Sequence, residues 1–419
     1  MNYYTYPIIV LFYLQLMQSN IVFYIRTFTL LCCLFSLLAC SNTAVLTGID
    51  VLSQGEFAPL SGKRVALLTN HTGVDRHGQS TIRHLHDAEN IELVKIFSPE
   101  HSLSGELDIP LIPDDIEAIT GVPILSLYGK VRRPTPTMLD GIDTIVFDIQ
   151  DIGTRFYTYI STMGNAMQAA ADGHIRFVVL DRPNPINGID VAGPILDEGK
   201  QSFVGFHRLP VRHGMTVGEL ARLFKVEMAI DVDLQIIEMR GWRRSDYFDA
   251  TELPWINTSP NIRSLTAAIL YPGIGLLETT NISVGRGTDA PFEVIGAPWI
   301  DGEALASHLN GASLPGVSFH AARFTPDASK FAGEPCSGVR LTITNREIFD
   351  PLRVGFEIAR HLATAYAETW EVDAYLRLLG NDKTLQAVRQ GLSYNEILAS
   401  YEDGLNAFRE RRHRYLLYP

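Results

Sequence analysis

The feature that most constrains this chain is a regular alternation beginning at Arg64. Short apolar runs rich in β-branched residues recur at Val65 to Thr69, Leu93 to Ser98, Ile124 to Leu127, Thr144 to Asp148 and Phe177 to Asp181, with helical patterns between them. Strands that are apolar at nearly every position must be covered on both faces. Strands separated by helix-length segments are joined by crossovers rather than hairpins. The pattern therefore predicts a parallel sheet with helices on both sides. Leu234 to Met239 is a possible sixth strand, preceded by a helix starting near Thr216. There Thr216-Val217-Gly218-Glu219 fits a capping box, in which each side chain accepts from the other residue's backbone N–H.

Beyond Ile262 the chain turns to Gly- and Pro-rich loops, a strand at Gly338 to Thr344, and two amphipathic helices, Asp350 to Thr369 and Tyr394 to Arg411. The expected architecture is α/β: a Rossmann-like parallel-sheet domain over residues 40–290, followed by a smaller α+β domain over residues 291–419. Two domains are also what roughly 380 residues call for, since that exceeds one hydrophobic core.

The first 39 residues read as an export signal. The apolar run Phe28 to Leu38 follows Arg26 and ends in Leu37-Leu38-Ala39-Cys40, the cleavage-and-lipidation tetrapeptide of a lipoprotein. It is too short to span a bilayer comfortably. The expected location is the cell envelope, with a lipid on Cys40 tethering the chain to a membrane. In a Gram-negative cell Ser41 favours the outer membrane, facing the periplasm. Cys32 and Cys33 leave with the signal, so no internal disulfide is expected, and Cys336 reads as a small core residue. A net charge of -12 argues against nucleic acid as a partner. The basic run Arg409 to Arg414 reads as a solvated last turn matched to the helix dipole.

Ligands of open α/β sheets bind outside the carboxyl ends of the strands, and those ends are polar here. In order they carry Asn70-His71-Thr72, Ser98-Pro99-Glu100-His101, Tyr128-Gly129, Asp148 through Tyr157, and Asp181-Arg182-Pro183-Asn184. No glycine-rich loop follows the first strand, and Gly285-Arg286-Gly287 lacks a third glycine, so no nucleotide or nicotinamide cofactor is expected. His71, His101, Asp148 and Asp151 lack the spacing of a metal site, so no metal is expected either. Carboxylates, amides, arginines and aromatics remain, which is the inventory of a carbohydrate site. Glycoside cleavage needs a carboxylic acid for the leaving oxygen and usually a second carboxylate. Glu100 is the candidate acid, because it leaves a strand end beside Pro99 rather than lying on a helix surface. Asp148, Asp151 and Glu278 are candidates for the second, with Asp148 equally readable as a buried partner of Arg155 or Arg182.

These segments resemble the exo-β-N-acetylmuramidases. The resemblance runs from about Gly48 to Pro419. It is carried by Leu68 to Gly73, Ser98 to His101, Asp148 to Tyr159, Asp181 to Pro185, Asn257 to Asn261, Glu278 to Thr288 and Arg414 to Tyr418. It implies a Rossmann-like domain with a smaller C-terminal one, and exo-acting release of N-acetylmuramic acid from peptidoglycan-derived saccharides. Asn70, His71, His101, Arg155, Tyr157, Asp181, Arg182, Asn184, Asn257, Asn281 and Arg286 are then the expected substrate-binding residues. Arg155, Arg182 and Arg286 are the candidates for the lactyl carboxylate. Asp148 or Asp151 would orient the 2-acetamido group if that group attacks the anomeric carbon. The chain departs from some members at Ser102-Leu103-Ser104-Gly105 and at Val284, where some carry Glu. The alternative function is a non-catalytic muropeptide-binding envelope lipoprotein. An esterase lacks support, since no G-x-S-x-G elbow is present.

Overall fold

The computed structural model describes residues 44–419, so the signal over residues 1–39 and the lipidation site at Cys40 lie outside the described residues. The chain runs through β1 (Lys63–Thr69), β2 (Ile91–Ser98), β3 (Asp115–Ile116), β4 (Pro123–Ser126), β5 (Thr144–Asp148) and β6 (Arg176–Leu180). A separate two-stranded ribbon, β7 (Ala192–Ile195) with β8 (Pro210–Arg212), precedes β9 (Leu234–Ile237). Seven strands form one sheet in the order β3-β4-β2-β1-β5-β6-β9, parallel throughout except at the β3–β4 edge.

Alternate residues of each strand point to opposite faces, and the core divides accordingly. Ala66, Leu68, Phe97, Ile145, Phe147, Phe177 and Val179 belong to one buried cluster, with Ile160 and Met163 of the helix Tyr159–Asp172 and Leu220 and Phe224 of the helix Val217–Glu227. Val65, Leu67, Ile96, Val146, Val178 and Leu180 belong to the other, with Ile49, Leu52 and Leu85 from the helices Gly48–Gln54 and Thr81–Asp87. The expected capping box forms: Thr216 Oγ1 accepts from Glu219 N at 3.2 Å, and Glu219 accepts from Thr216 N at 3.0 Å.

A smaller antiparallel sheet, β10 (Val294–Ala297), β11 (Val317–Phe324) and β12 (Cys336–Ile343) in the order β10-β12-β11, follows. The expected boundary at residue 290 falls just before β10. The first core cluster nevertheless continues unbroken from Ala66 to Tyr415, and Val45–Pro419 is one compact unit. Cys336 is buried in β12, where burial pushes its thiol up to about 11. No helix among the described residues is long and apolar enough to cross a membrane.

Two expectations need correction. The last helical pattern is two helices, Tyr394–Ala399 and Glu402–Arg412. The Tyr401 N–H reaches only the Leu398 carbonyl, three residues back, while Ser400 Oγ donates to the Ile397 carbonyl at 2.6 Å, and Tyr401 at φ -133 turns inward into the core. The basic run is not merely solvated. Arg412 is 8% exposed and donates to the carbonyls of Gly188, Gly214 and Ile189, while Arg409 and Arg411 reach those of Val191 and Arg208.

Candidate active site

The register of the parallel strands aligns their carboxyl ends, pairing Thr69 with Asp148 and Ser98 with Ser126. The segments leaving β2 and β5 meet on one side chain, Glu100, where Thr158, just before the helix Tyr159–Asp172, donates its hydroxyl to the carboxyl. Burial, with Glu100 adding to it, holds the pKa of the Tyr128 phenol beyond β4 above its ordinary value. The Thr158 hydroxyl, from the segment after β5, orients a carboxyl that leaves from β2.

The turn behind Glu100 is strained. His101 and Ser102 both adopt φ +70, and each such non-glycine residue costs roughly 1–3 kcal/mol. The surrounding contacts hold it. His71 N donates to the Leu103 carbonyl at 2.7 Å, His101 Nδ1 lies 2.9 Å from the Leu107 carbonyl, and Gly105 at φ +73 sits flat against the His71 ring. His71 Nε2 donates to the Asn257 carbonyl at 2.6 Å. Burial lowers the His71 pKa, so the ring is neutral and Nδ1 is left as a bare acceptor.

Glu100 and His101 form one wall of a cavity of about 310 Å³. Phe156, Tyr157, Tyr159 and Tyr271 supply an aromatic wall, with the Tyr271 ring edge-on to Tyr157 and Phe292. Tyr157 and Tyr159 donate to the hydroxyl and carbonyl of Thr258 at 2.9 and 2.7 Å, and burial holds all three tyrosine pKa values high.

Glu278 faces the same cavity from the short turn Gly275–Thr279 that ends the helix Leu265–Ile274. Arg286 binds Glu278 with one guanidinium nitrogen and Asp108 with another, the latter at 2.5 Å. Burial opposes the Arg286 charge, but the two carboxylates outweigh it and hold its pKa above the ordinary value. Burial likewise works to raise the Asp108 pKa, and Arg286 overcomes it and holds it low.

Models of the exo-beta-N-acetylmuramidase NamZ N-terminal and C-terminal domains match residues 65–266 and 269–418. The chain belongs to the exo-β-N-acetylmuramidase family. It is 44% identical over 378 residues to the peptidoglycan beta-N-acetylmuramidase NamZ of Bacillus subtilis, covering 89% of this chain and 91% of that protein. Two crystal structures of DUF1343 family proteins from Bacteroides fragilis superpose with TM-scores of 0.84 and 0.72. They are 36% and 32% identical to this chain, and each match covers 90% of this chain and 99% of the other.

Within this muramidase-family fold, Glu100, His101, Tyr157, Glu278 and Arg286 line the cavity, and the other expected site residues do not. Asp148 is fully buried, takes a two-pronged ion pair from Arg182 at 2.5 and 2.9 Å, and accepts from Thr81. That pair sits at the carboxyl end of β5, beside β1, where the strand order reverses. Asp151, also buried, accepts from Gly153 N at 2.7 Å and lies 3.6 Å from His213. Neither aspartate is placed to orient a sugar acetamide in this cavity.

Arg155 is corrected most sharply. It is 0% exposed, and its guanidinium donates to the carbonyls of Pro194, Leu209, Leu378 and Leu379 at 2.7–2.9 Å. Burial pulls its pKa down to about 9. Asp181 accepts from Thr216, Gly218 and Tyr418, Asn184 bridges Ile186 and Met215, and Asn281 pins Thr369 and Glu371. All three are scaffold. Asn70, His71 and Asn257 stand one layer behind Glu100, with Asn70 accepting from Thr72 and Asn257 acting through its carbonyl. Val284, at the position where some relatives carry Glu, is buried.

Sequence reasoning missed Asp108, Thr158, Tyr271 and Arg377, and named Tyr128 only as a strand-end residue. Thr158 sits inside the Asp148 to Tyr159 motif and was findable there. Asp108 lies in a stretch with no periodic pattern, and nothing in the sequence singles it out.

Proposed function

We propose that this chain is an exo-acting β-N-acetylmuramidase, a glycoside hydrolase that releases N-acetylmuramic acid from the non-reducing end of peptidoglycan fragments. The observation that carries the reading is Glu100, held by Thr158 on the wall of a cavity that a second carboxylate, Glu278, also faces. In this reading Glu100 protonates the glycosidic oxygen as the bond breaks, and Glu278 is the carboxylate available for charge developing on the ring. A cavity of about 310 Å³ suits one terminal sugar rather than an extended glycan, as an exo enzyme requires.

The test is hydrolysis of a muramic acid β-glycoside with a chromogenic leaving group. Wild-type protein should turn it over, and Glu100→Gln should lose roughly 10²- to 10⁴-fold in kcat while still binding. A variant within threefold of wild type would remove Glu100 from the acid role. Wild-type binding without turnover would support a muropeptide-binding protein instead.

The tetrapeptide Leu37-Leu38-Ala39-Cys40 supports lipidation at Cys40 and placement in the cell envelope, at the outer membrane facing the periplasm in a Gram-negative cell. Cys40→Ser should move the protein from the membrane to the soluble fraction. Unchanged fractionation would remove the anchor.

A further inference from the structure

Muramic acid differs from glucosamine by a lactyl ether bearing a carboxylate, so a site selective for it needs a cation with open hydrogen-bonding capacity. Arg155 has none to spare, being enclosed by four backbone carbonyls, and Arg182 is committed to Asp148. Arg286 lines the cavity but is shared by Asp108 and Glu278. One guanidinium between two carboxylates leaves that trio net negative, which repels a further anion. Lys330 donates to the Glu278 main-chain carbonyl and does not line the cavity.

Arg377 remains. It lines the cavity, its side chain is exposed, and it forms no ion pair or side-chain hydrogen bond among the described residues. Its head is free while its backbone is not. Arg377 sits in the single helical turn Leu376–Leu379, where Arg155 grips the carbonyls of the next two residues, Leu378 and Leu379, at 2.7 Å each. Leu378 also lines the cavity. An unpaired cation on a fixed turn at the wall is the arrangement that capture of a carboxylate calls for.

We propose that Arg377 binds the lactyl carboxylate of the terminal muramic acid and so sets the preference for muramic acid over glucosamine, an inference that rests on the muramidase reading above. Arg155 is then a positioning residue that acts through the Leu376–Leu379 turn.

The experiment compares kcat/KM for two chromogenic β-glycosides, muramic acid and its lactyl methyl ester, which differ only in the negative charge. Wild-type turnover of the acid is scored first, and its absence would count against the muramidase reading itself. With that turnover in hand, Arg377→Met should reduce the acid-to-ester ratio roughly tenfold or more, chiefly through KM. Arg377→Lys should keep part of the preference. An Arg377→Met ratio within twofold of wild type would overturn the inference and leave the muramidase reading standing, as would a loss falling equally on acid and ester. Asp108→Asn separates the rival cation: if Arg286 were the receptor, freeing it from Asp108 would raise the preference for the acid. Such a rise, with Arg377→Met unchanged, would overturn the assignment to Arg377.

Discussion

Replacing Gly105 by alanine tests whether the turn behind Glu100 is built on the His71 ring. A Cβ at position 105 would lie 1.8 Å from His71 Cε1 and 2.1 Å from Nδ1, so either the ring or the loop must move. The ring does not yield freely, because Nε2 donates to the Asn257 carbonyl at 2.6 Å. Breaking a hydrogen bond of this kind at the surface costs about 0.5–1.5 kcal/mol, and holding alanine at φ +73 adds about 1–2 kcal/mol. The expected destabilisation is therefore about 1.5–3.5 kcal/mol, with a fall in kcat as Glu100 shifts. Denaturant unfolding of wild type, Gly105→Ala, His71→Ala and the double variant isolates the ring term. Without the ring only the backbone cost remains, so the cycle should show a coupling of about 0.5–1.5 kcal/mol. An alanine cost that is the same in both backgrounds would refute the packing argument.

Burial holds the His71 pKa below its ordinary 6.5, so below about pH 6.5 the unfolded chain takes up a proton that the folded chain refuses, and stability falls as the pH drops toward the folded value. His71→Gln should lose less thermal stability than wild type between about pH 7 and pH 5, and parallel Tm curves would refute this. Arg155→Met strips the donor from four buried carbonyls while relieving a buried charge. We expect a net loss of about 2–5 kcal/mol in denaturant unfolding, and a change under about 0.5 kcal/mol would show the four bonds to be dispensable.

The sheet was legible because its strands are buried on both faces. Thr144–Asp148 is apolar but for its ends and forms the strand β5 over those very residues. Glu100 was legible for a related reason: the strand before it fixes which rim it leaves from, and Pro99 keeps it off a helix. The rest of the cavity wall was harder to read. Arg286 meets Asp108 across 178 residues of sequence, from a loop whose residues follow neither a helical nor a strand period. Arg377 sits on one helical turn, too short for its periodicity to register. Asp148 could be read two ways, because a carboxylate at a strand end serves equally as a ligand group or as a buried ion-pair partner, and the second reading is the one the structure bears out. Arg182, 34 residues away, decides which.

The arginines show why residue type alone misplaces function in this chain. Arg155 and Arg412 have no carboxylate as a hydrogen-bond acceptor. Their acceptors are backbone carbonyls, and burial brings their pKa values down to about 9 and about 10. A carbonyl acceptor is present at every residue, so these bonds leave no complementary charge in the sequence for a reader to find. Each joins segments far apart in the chain: Arg155 ties the β7–β8 ribbon to the Leu376–Leu379 turn, and Arg412 ties the last helix to the loops at Gly188 and Gly214. The cavity wall draws Glu100 from the first half of the chain and Leu378 from the second. A shift of about an ångström between them would forfeit a large part of the catalytic advantage of a fixed geometry. Buried guanidinium groups with several fixed acceptors each resist that shift, so the same residue type that reads a substrate carboxylate at the surface holds the acid and its opposite wall in register when buried.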